Sequence, residues 1–318
     1  MKKYLLLFFA AAFIFAGCSK DSMFKKGVVY AKEGKREAAL KMYNKILKKD
    51  PDYFSALVNR AIIYEQLGED KYAEQDYLRA YKLNPENVNL LVNMGGYYLR
   101  KNYPLRTIGY LTTALNRDPD NVLALVIRAE AFRVLGYERK AFSDLNDAQI
   151  IAPDSQLVAV NKAALDYDMY RYDDALSEYT QALYNDPKNP EYFYRRGLVF
   201  KQAGHFANAL ADFNMAVNLK KDHIPALYEK ARMLLKSGDY EAALADLKTI
   251  KSINNKYVKA YELTGDILAI ENPVSATSNY MAARKLDPKN AKRYNAKIKM
   301  MKTDAGRKKV IKKAVGIF

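Results

Sequence analysis

From residue 20 onward, apolar residues recur at helical spacing in two segments of about a dozen residues each, and this pair of segments repeats every 34 residues. Polar and charged residues separate the apolar positions within each segment. Proline, which cannot continue a helix, closes five of the rows. No row can bury its apolar side alone, so the pattern predicts eight stacked helix pairs over residues 20–288.

Three positions of the row are occupied mainly by small residues. The first column holds Gly or Ala in all eight rows: Gly27, Ala61, Gly95, Ala129, Ala163, Gly197, Ala231 and Gly265. The second column reads Ala39, Ala73, Thr107, Ala141, Ala175, Ala209 and Ala243, and the third reads Ile46, Ala80, Ala114, Ala148, Ala182, Ala216 and Ile250. Because small residues are needed where helices approach closely, these columns predict the contacts within the stack.

The turns between the two segments carry a glycine in five of the eight rows. The glycines that mark the turn are Gly34, Gly68, Gly136, Gly204 and Gly238. Row five has Tyr170 at this place, which predicts a rotated first helix or a reshaped turn. In row eight the small residues come one position early, so the turn around Asn272-Pro273 is expected to be one residue shorter.

This order of small, aromatic, turn and proline positions resembles the tetratricopeptide repeat (TPR) family over residues 20–288. The resemblance implies an all-α fold: a right-handed α-solenoid of about eight TPR helix pairs with a C-terminal capping helix. It also implies that the first helix of each pair lines a concave surface, which contacts an extended peptide or a partner helix.

On that surface the family commonly uses the second, fifth, sixth, ninth, twelfth and thirteenth positions of a row. The asparagines in the sixth position resemble a ladder that holds a peptide backbone, because an amide both donates and accepts hydrogen bonds. The alternative, which is equally compatible with the sequence, is that asparagine is simply a common residue at the sixth position in this family and has no role in binding. The fifth position never holds Lys, so the carboxylate clamp of chaperone-binding TPR proteins is not expected. The candidate groove residues are Val58, Asn59, Val92, Asn93, Val126, Val160, Asn161, Tyr194, Arg195, Tyr228 and Arg232.

The first eighteen residues differ in kind from the repeats. Two lysines precede a run of apolar or small residues from Tyr4 to Gly17, which ends at Cys18. Fourteen residues reach about 21 Å, short of the ~30 Å hydrocarbon core, so the run is predicted to be a signal peptide and not a membrane span. The segment Phe15–Cys18 resembles the lipobox of bacterial lipoproteins, which implies a signal peptide over 1–17 and a lipidated N-terminus over 18–19. An ordinary secretory signal is the alternative.

Residues 289–318 hold most of the positive charge. They carry eleven Lys or Arg and one acidic residue, which is +10 of the net charge of +16. Ala291, Tyr294, Ile298 and Met301 are spaced as a helix stripe that could cover row eight, and Gly306 is expected to end that helix. Residues 307–318 are then either a basic amphipathic segment that contacts anionic lipid or a solvated, frayed end.

Composition leaves little catalytic chemistry. The chain has one Cys and two His, and it lacks a phosphate-binding glycine loop, so no catalytic residue, metal or cofactor is predicted. Nucleic acid is a poor target for an exported protein.

The leading hypothesis is a non-catalytic scaffold of the bacterial cell envelope that binds envelope proteins or peptides. It would be lipid-anchored through Cys18, on the periplasmic side of the outer membrane if the cell has two membranes. The alternative is a membrane-surface or glycan tether that acts through the basic C-terminal segment.

Overall fold

The computed structural model describes residues 20–316, and every regular element within that range is helical. The described residues divide into two compact units, one ending at residue 161 and the other starting at residue 162. This boundary falls inside a single helix, Gln156–Asp168. The predicted all-α fold of TPR-like helix pairs is confirmed.

The first unit contains four complete helix pairs and the start of a fifth. Its helices are α1 over 20–32, α2 Arg36–Lys49, α3 Phe54–Gln66, α4 Asp70–Leu83, α5 Val88–Arg100, α6 Pro104–Arg117, α7 Val122–Val134, α8 Glu138–Ile151 and the N-terminal part of α9 Gln156–Asp168. From α3 onward, each first helix begins at the first residue of its predicted row.

The second unit continues the same order and ends in two further helices. After the remainder of α9 come α10 Tyr172–Asn185, α11 Pro190–Gln202, α12 Phe206–Leu219, α13 Ile224–Ser237, α14 Tyr240–Ile253, α15 Val258–Leu268 and α16 Pro273–Leu286. A 3₁₀ turn at Pro288–Asn290 leads into α17 Ala291–Met300, and α18 Asp304–Val315 follows. The second helix of row eight begins one position earlier than the others, as the shorter turn predicts.

The small residues of the first column lie where the two helices of a pair meet. All eight are buried. In row eight, a Cβ built on Gly265 would lie 2.6 Å from Cε1 of Tyr280, on the second helix of the same pair. The corresponding distance from Gly27 to Tyr43 Cε1 is also 2.6 Å. These glycines therefore let a large side chain of the second helix pack directly against the backbone of the first.

The residues of the second column lie on the second helix of each pair and pack into the same interface. The six alanines of this column are fully buried, and so is Thr107, which takes the place of alanine in row three. The Thr107 hydroxyl donates a 2.9 Å hydrogen bond to the backbone carbonyl of Gly95, on the partner helix of the pair. The hydroxyl is thus satisfied inside an apolar contact, where an unpaired polar group would be costly.

The turns keep one backbone shape even where glycine is missing. Tyr170 has φ of 61° and Asn102 has φ of 63°, in the left-handed region that the five turn glycines also occupy. The hydrogen bond from Arg171 N to Asp166 O in row five matches that from Lys35 N to Tyr30 O in row one, each 2.8 Å. The expectation of a reshaped turn at Tyr170 was wrong, because this tyrosine adopts the left-handed conformation itself.

A set of ion pairs recurs at a spacing of sixteen residues and was missed in the sequence. In rows two, four and six an Arg on the first helix forms two hydrogen bonds to an Asp on the second helix, and Lys230 pairs with its Asp in row seven. The pairs are Arg60–Asp76, Arg128–Asp144, Arg196–Asp212 and Lys230–Asp246. Each of the three arginines also donates to a side chain of the preceding row, namely Asn44, Thr112 and Thr180. One guanidinium therefore ties three helices together.

Row five places Lys162 and Glu178 at the positions of this recurring pair. Burial raises the pKa of the Glu178 carboxyl to about 7, and the positive charge of Lys162 opposes that rise. The Oε2 atom of Glu178 is buried without a hydrogen bond among the described residues. The pair in row five is therefore less well satisfied than its Arg–Asp counterparts.

The C-terminal segment forms two helices. Tyr294 on α17 and Met301 just after it are buried, and Ile298 packs against the cluster that contains Met301 and Tyr280 of row eight, as the predicted capping stripe requires. The expectation that Gly306 ends this helix was wrong. The helix α17 ends at Met300, Thr303 caps the next helix, and Gly306 lies in the first turn of α18, where its N–H donates to the Thr303 hydroxyl. Within residues 20–316, none of the helices has the length and apolar character needed to cross a bilayer.

The close approach at the first column gives a direct test. We expect Gly265→Ala to lower the free energy of unfolding by about 1–3 kcal/mol, because the new Cβ overlaps the Tyr280 ring. The matched control is Gly109→Ala on α6, where a Cβ meets no atom within 4 Å. That change should raise stability by about 0.5–1 kcal/mol, since alanine favours a helix. Urea unfolding followed by circular dichroism measures both, and equal effects of the two changes would contradict the packing role.

Candidate functional site

The valines predicted to line a groove are mostly covered by neighbouring side chains. Val58, Val92 and Val126 expose 8%, 6% and 3% of their surface. Val160 is half-buried. In the described part of the first unit these positions therefore belong mainly to the core, and they do not form an open apolar strip.

The predicted asparagines sit beside these valines and are half-buried. The side-chain amide of Asn59 donates to the Ser55 carbonyl at 2.8 Å, and that of Asn161 donates to the Leu157 carbonyl at 2.7 Å. Both bonds run back along the asparagine's own helix, which leaves the amide oxygen and one N–H for other contacts. No side-chain hydrogen bond is described for Asn93 within residues 20–316. The amide groups therefore remain able to contact a peptide backbone.

In the second unit, Tyr194 and Arg195 lie on α11. The Tyr194 ring lies 5.2 Å from that of His223, and Arg195 donates to the Glu191 carboxylate at 2.7 Å. Burial raises the pKa of the Tyr194 hydroxyl to about 12. Both side chains are only partly buried, so they present mixed aromatic and charged surface on the first helix of row six.

Tyr228 and Arg232 come together in a pocket of about 680 Å³ near the end of the second unit. We call this the row-eight pocket. Its lining side chains come from four helices, which are α13 and α15 of the repeats and the two C-terminal helices α17 and α18. The volume is within the usual range of ligand pockets, roughly 300–1,000 Å³. The sequence indicated the α13 residues, but it gave no signal that the chain beyond row eight folds back to complete a pocket.

The acidic side chains of the row-eight pocket are already paired. Glu229 lies 2.8 Å from Lys201 Nζ and also accepts from Arg232. Asp266 accepts from Lys297 Nζ at 2.6 Å and from the Tyr280 hydroxyl at 2.8 Å.

Glu262 pairs with the same Lys297, 2.7 Å from Nζ, and with Arg293. Burial raises the pKa of the Asp266 carboxyl, and the neighbouring Lys297 charge opposes that rise. Each acidic side chain of the pocket is thus paired with a basic one. Because the lining holds more basic than acidic side chains, the pocket has a net positive charge.

Unlike the acidic side chains, the basic side chains at the rim of the pocket are exposed to solvent. Lys259 on α15 and Lys309 and Lys313 on α18 are exposed, and no ion pair is described for any of them in the range 20–316. The Lys259 ammonium lies 6.0 Å from the centre of the Tyr228 ring. Three cations therefore border an apolar surface without a counter-charge.

The apolar side of α18 packs onto the protein. Val310 and Ala314 are each 5% exposed, and they join clusters that include Met301 and Leu263. The amphipathic segment proposed for residues 307–318 therefore uses Val310 and Ala314 to hold α18 on the array, while Lys308 and Lys312 remain exposed. Cys18, the predicted lipidation site, lies outside the described residues, as does Phe318.

Two sequence profiles, both described as tetratricopeptide repeat, match residues 24–88 and 161–224 in one case and 224–257 in the other. Together they match just over half of the chain. With the observed helix pairs, these matches show that the chain belongs to the TPR family. Such proteins are generally scaffolds for protein–protein interaction, and the fold is typically non-catalytic.

Solved structures share this fold. A tetratricopeptide repeat protein from Parabacteroides merdae aligns with a TM-score of 0.66 at 18% identity, covering 77% of this chain and 97% of that one. Yeast Tom70 gives 0.64 at 18% identity, covering 92% and 67%. The pilF protein of Pseudomonas aeruginosa gives 0.54 at 23% identity, covering 63% and 92%. A comparison with curated protein sequences gave no significant match.

The described residues contain no cluster of three or more His, Cys, Asp or Glu side chains arranged to hold a metal ion. The predicted positions present hydrogen-bonding groups in the first unit and aromatic and charged groups in the second unit, where Tyr228 and Arg232 also line a charged pocket. Such groups can bind another chain by contact.

Proposed function

We propose that this protein is a lipid-anchored, non-catalytic interaction scaffold of the bacterial cell envelope. It binds a partner protein or an extended peptide on the exposed side of the first helices, which we call the first-helix face. The observation that carries the proposal is the family's groove positions on this face, where Asn93, Tyr194 and Tyr228 present amide and aromatic groups that are only partly buried. Amide and tyrosine side chains are well suited to hold a peptide.

The anchoring part of the proposal rests on the sequence at the N-terminus. A short apolar run preceded by lysines ends at Cys18, which is the chain's single cysteine. Acylation of that sulfur would supply membrane affinity at ~0.8 kcal/mol per buried methylene, without a spanning helix. Ser19 in place of Asp supports transfer to the outer membrane in a cell that has two membranes.

The anchor is tested by Cys18→Ser. We expect the unchanged protein to incorporate radiolabelled palmitate and to sediment with membranes. The variant should lose the label and lose membrane association at high salt. Separation of inner from outer membranes then locates the unchanged protein. Palmitate label that persists in the variant would contradict lipidation at this residue.

The binding face is tested by Asn93→Ala combined with Asn161→Ala. We expect a pull-down from the envelope fraction to recover specific partners with the unchanged chain. The double variant should recover at least about tenfold less, because two backbone-binding amides are lost.

The matched control replaces Asn116 and Asn208, which are exposed on the second helices α6 and α12, with alanine. Recovery with the control should equal that of the unchanged chain. Equal recovery with both double variants would remove the asparagines from the proposed binding face.

A further inference from the structure

The row-eight pocket has an apolar floor and an excess of positive charge. Its apolar lining includes the buried Leu235, Leu263, Val310 and Ala314 and the half-buried Tyr228 and Met300, whose side chains remain accessible. Six basic and three acidic side chains also line it. All three acids are held in ion pairs with Lys201, Arg232, Arg293 or Lys297. The remaining cations are the rim lysines Lys259, Lys309 and Lys313.

The pocket occupies the last part of the first-helix face. Tyr228 and Arg232 are the fifth and ninth residues of row seven, and Lys259 and Glu262 are the second and fifth of row eight. The helices α17 and α18 add Met300, Val310 and the two rim lysines of α18 from outside the repeats. The end of the first-helix face is thereby closed into a pocket whose rim differs in charge from its floor.

We infer that the row-eight pocket binds an acidic segment of a partner protein. One apolar side chain of that segment packs against the half-buried side chains of Tyr228 and Met300 in the pocket lining, and flanking carboxylates contact the rim lysines. The inference rests on the proposed protein-binding function and specifies which chemistry this end of the face selects. Burying an apolar group beside unpaired cations combines hydrophobic contact with charge attraction, which together give both affinity and selectivity.

A peptide fits this site better than an anionic membrane surface does. Membrane insertion of α18 would need its apolar residues to face lipid, and Val310 and Ala314 are buried against the array. A flat headgroup layer would reach the rim lysines but would leave the apolar floor empty. A side chain that projects from an extended segment can reach both.

The test is fluorescence anisotropy with the full mature chain and a labelled peptide of alternating Glu and Leu residues. We expect binding that weakens with added salt. Two peptides of the same length, one with Ser in place of Leu and one with Gln in place of Glu, should bind at least about tenfold more weakly. The change Lys309→Glu with Lys313→Glu should weaken binding of the first peptide by about tenfold or more, because two attractions become repulsions.

The matched control is Lys308→Glu with Lys312→Glu, which makes the same charge change on the same helix at exposed lysines outside the pocket. It should bind as the unchanged chain does. Lys259→Glu reaches the rim from α15 and should also weaken binding, so the test does not depend on α18 staying folded.

Three results would overturn the inference. The first is no binding of the Glu–Leu peptide, and the second is an equal loss of peptide binding in the Lys308/Lys312 control. The third is binding only to vesicles of phosphatidylglycerol and phosphatidylethanolamine, lost with Lys309→Glu and Lys313→Glu, which would make lipid the occupant. Any of these results leaves the proposed scaffold function standing if envelope partners are still recovered through Asn93 and Asn161.

Discussion

The close contact between the two helices of each pair is the constraint on which the other features depend. At Gly27 and Gly265 the backbone of the first helix touches a tyrosine ring of the second, with no room for a Cβ. At Ala61 and Ala231 a single methyl group fills the same place. Because this contact fixes which side of each helix is buried, it also fixes which side of the first helices remains exposed to partners.

Much of the fold could be predicted because all eight rows place a small residue at the position where the two helices of a pair meet. The first helices begin at the predicted row starts, and every residue of the small columns is buried. The ion pairs exemplified by Arg196 and Asp212 were missed, although Arg or Lys recurs at the seventh position and Asp sixteen residues later in four rows. Tyr170 misled the prediction because a local φ preference was overridden by the hydrogen bonds of the turn.

The site was less predictable than the fold. Tyr228 and Arg232, which the family positions singled out, lie on the wall of a pocket, whereas Val58, Val92 and Val126 are core residues. A repeat pattern gives the position of a residue in its row but not how far its neighbours cover it. The contribution of α18 was unforeseeable for another reason: Lys309 and Lys313 belong to no row, so periodicity carries no information about where they pack.

The most direct measurement of the central claim is site-specific photocrosslinking in cells that make the full chain. A photoreactive amino acid at Lys259, on the first helix of row eight, is compared with one at Tyr184, which is 83% exposed on the second helix α10. We expect a discrete crosslinked protein from position 259 and none from position 184. A crosslink from position 184 alone would place the partner on the second helices and contradict binding on the first-helix face.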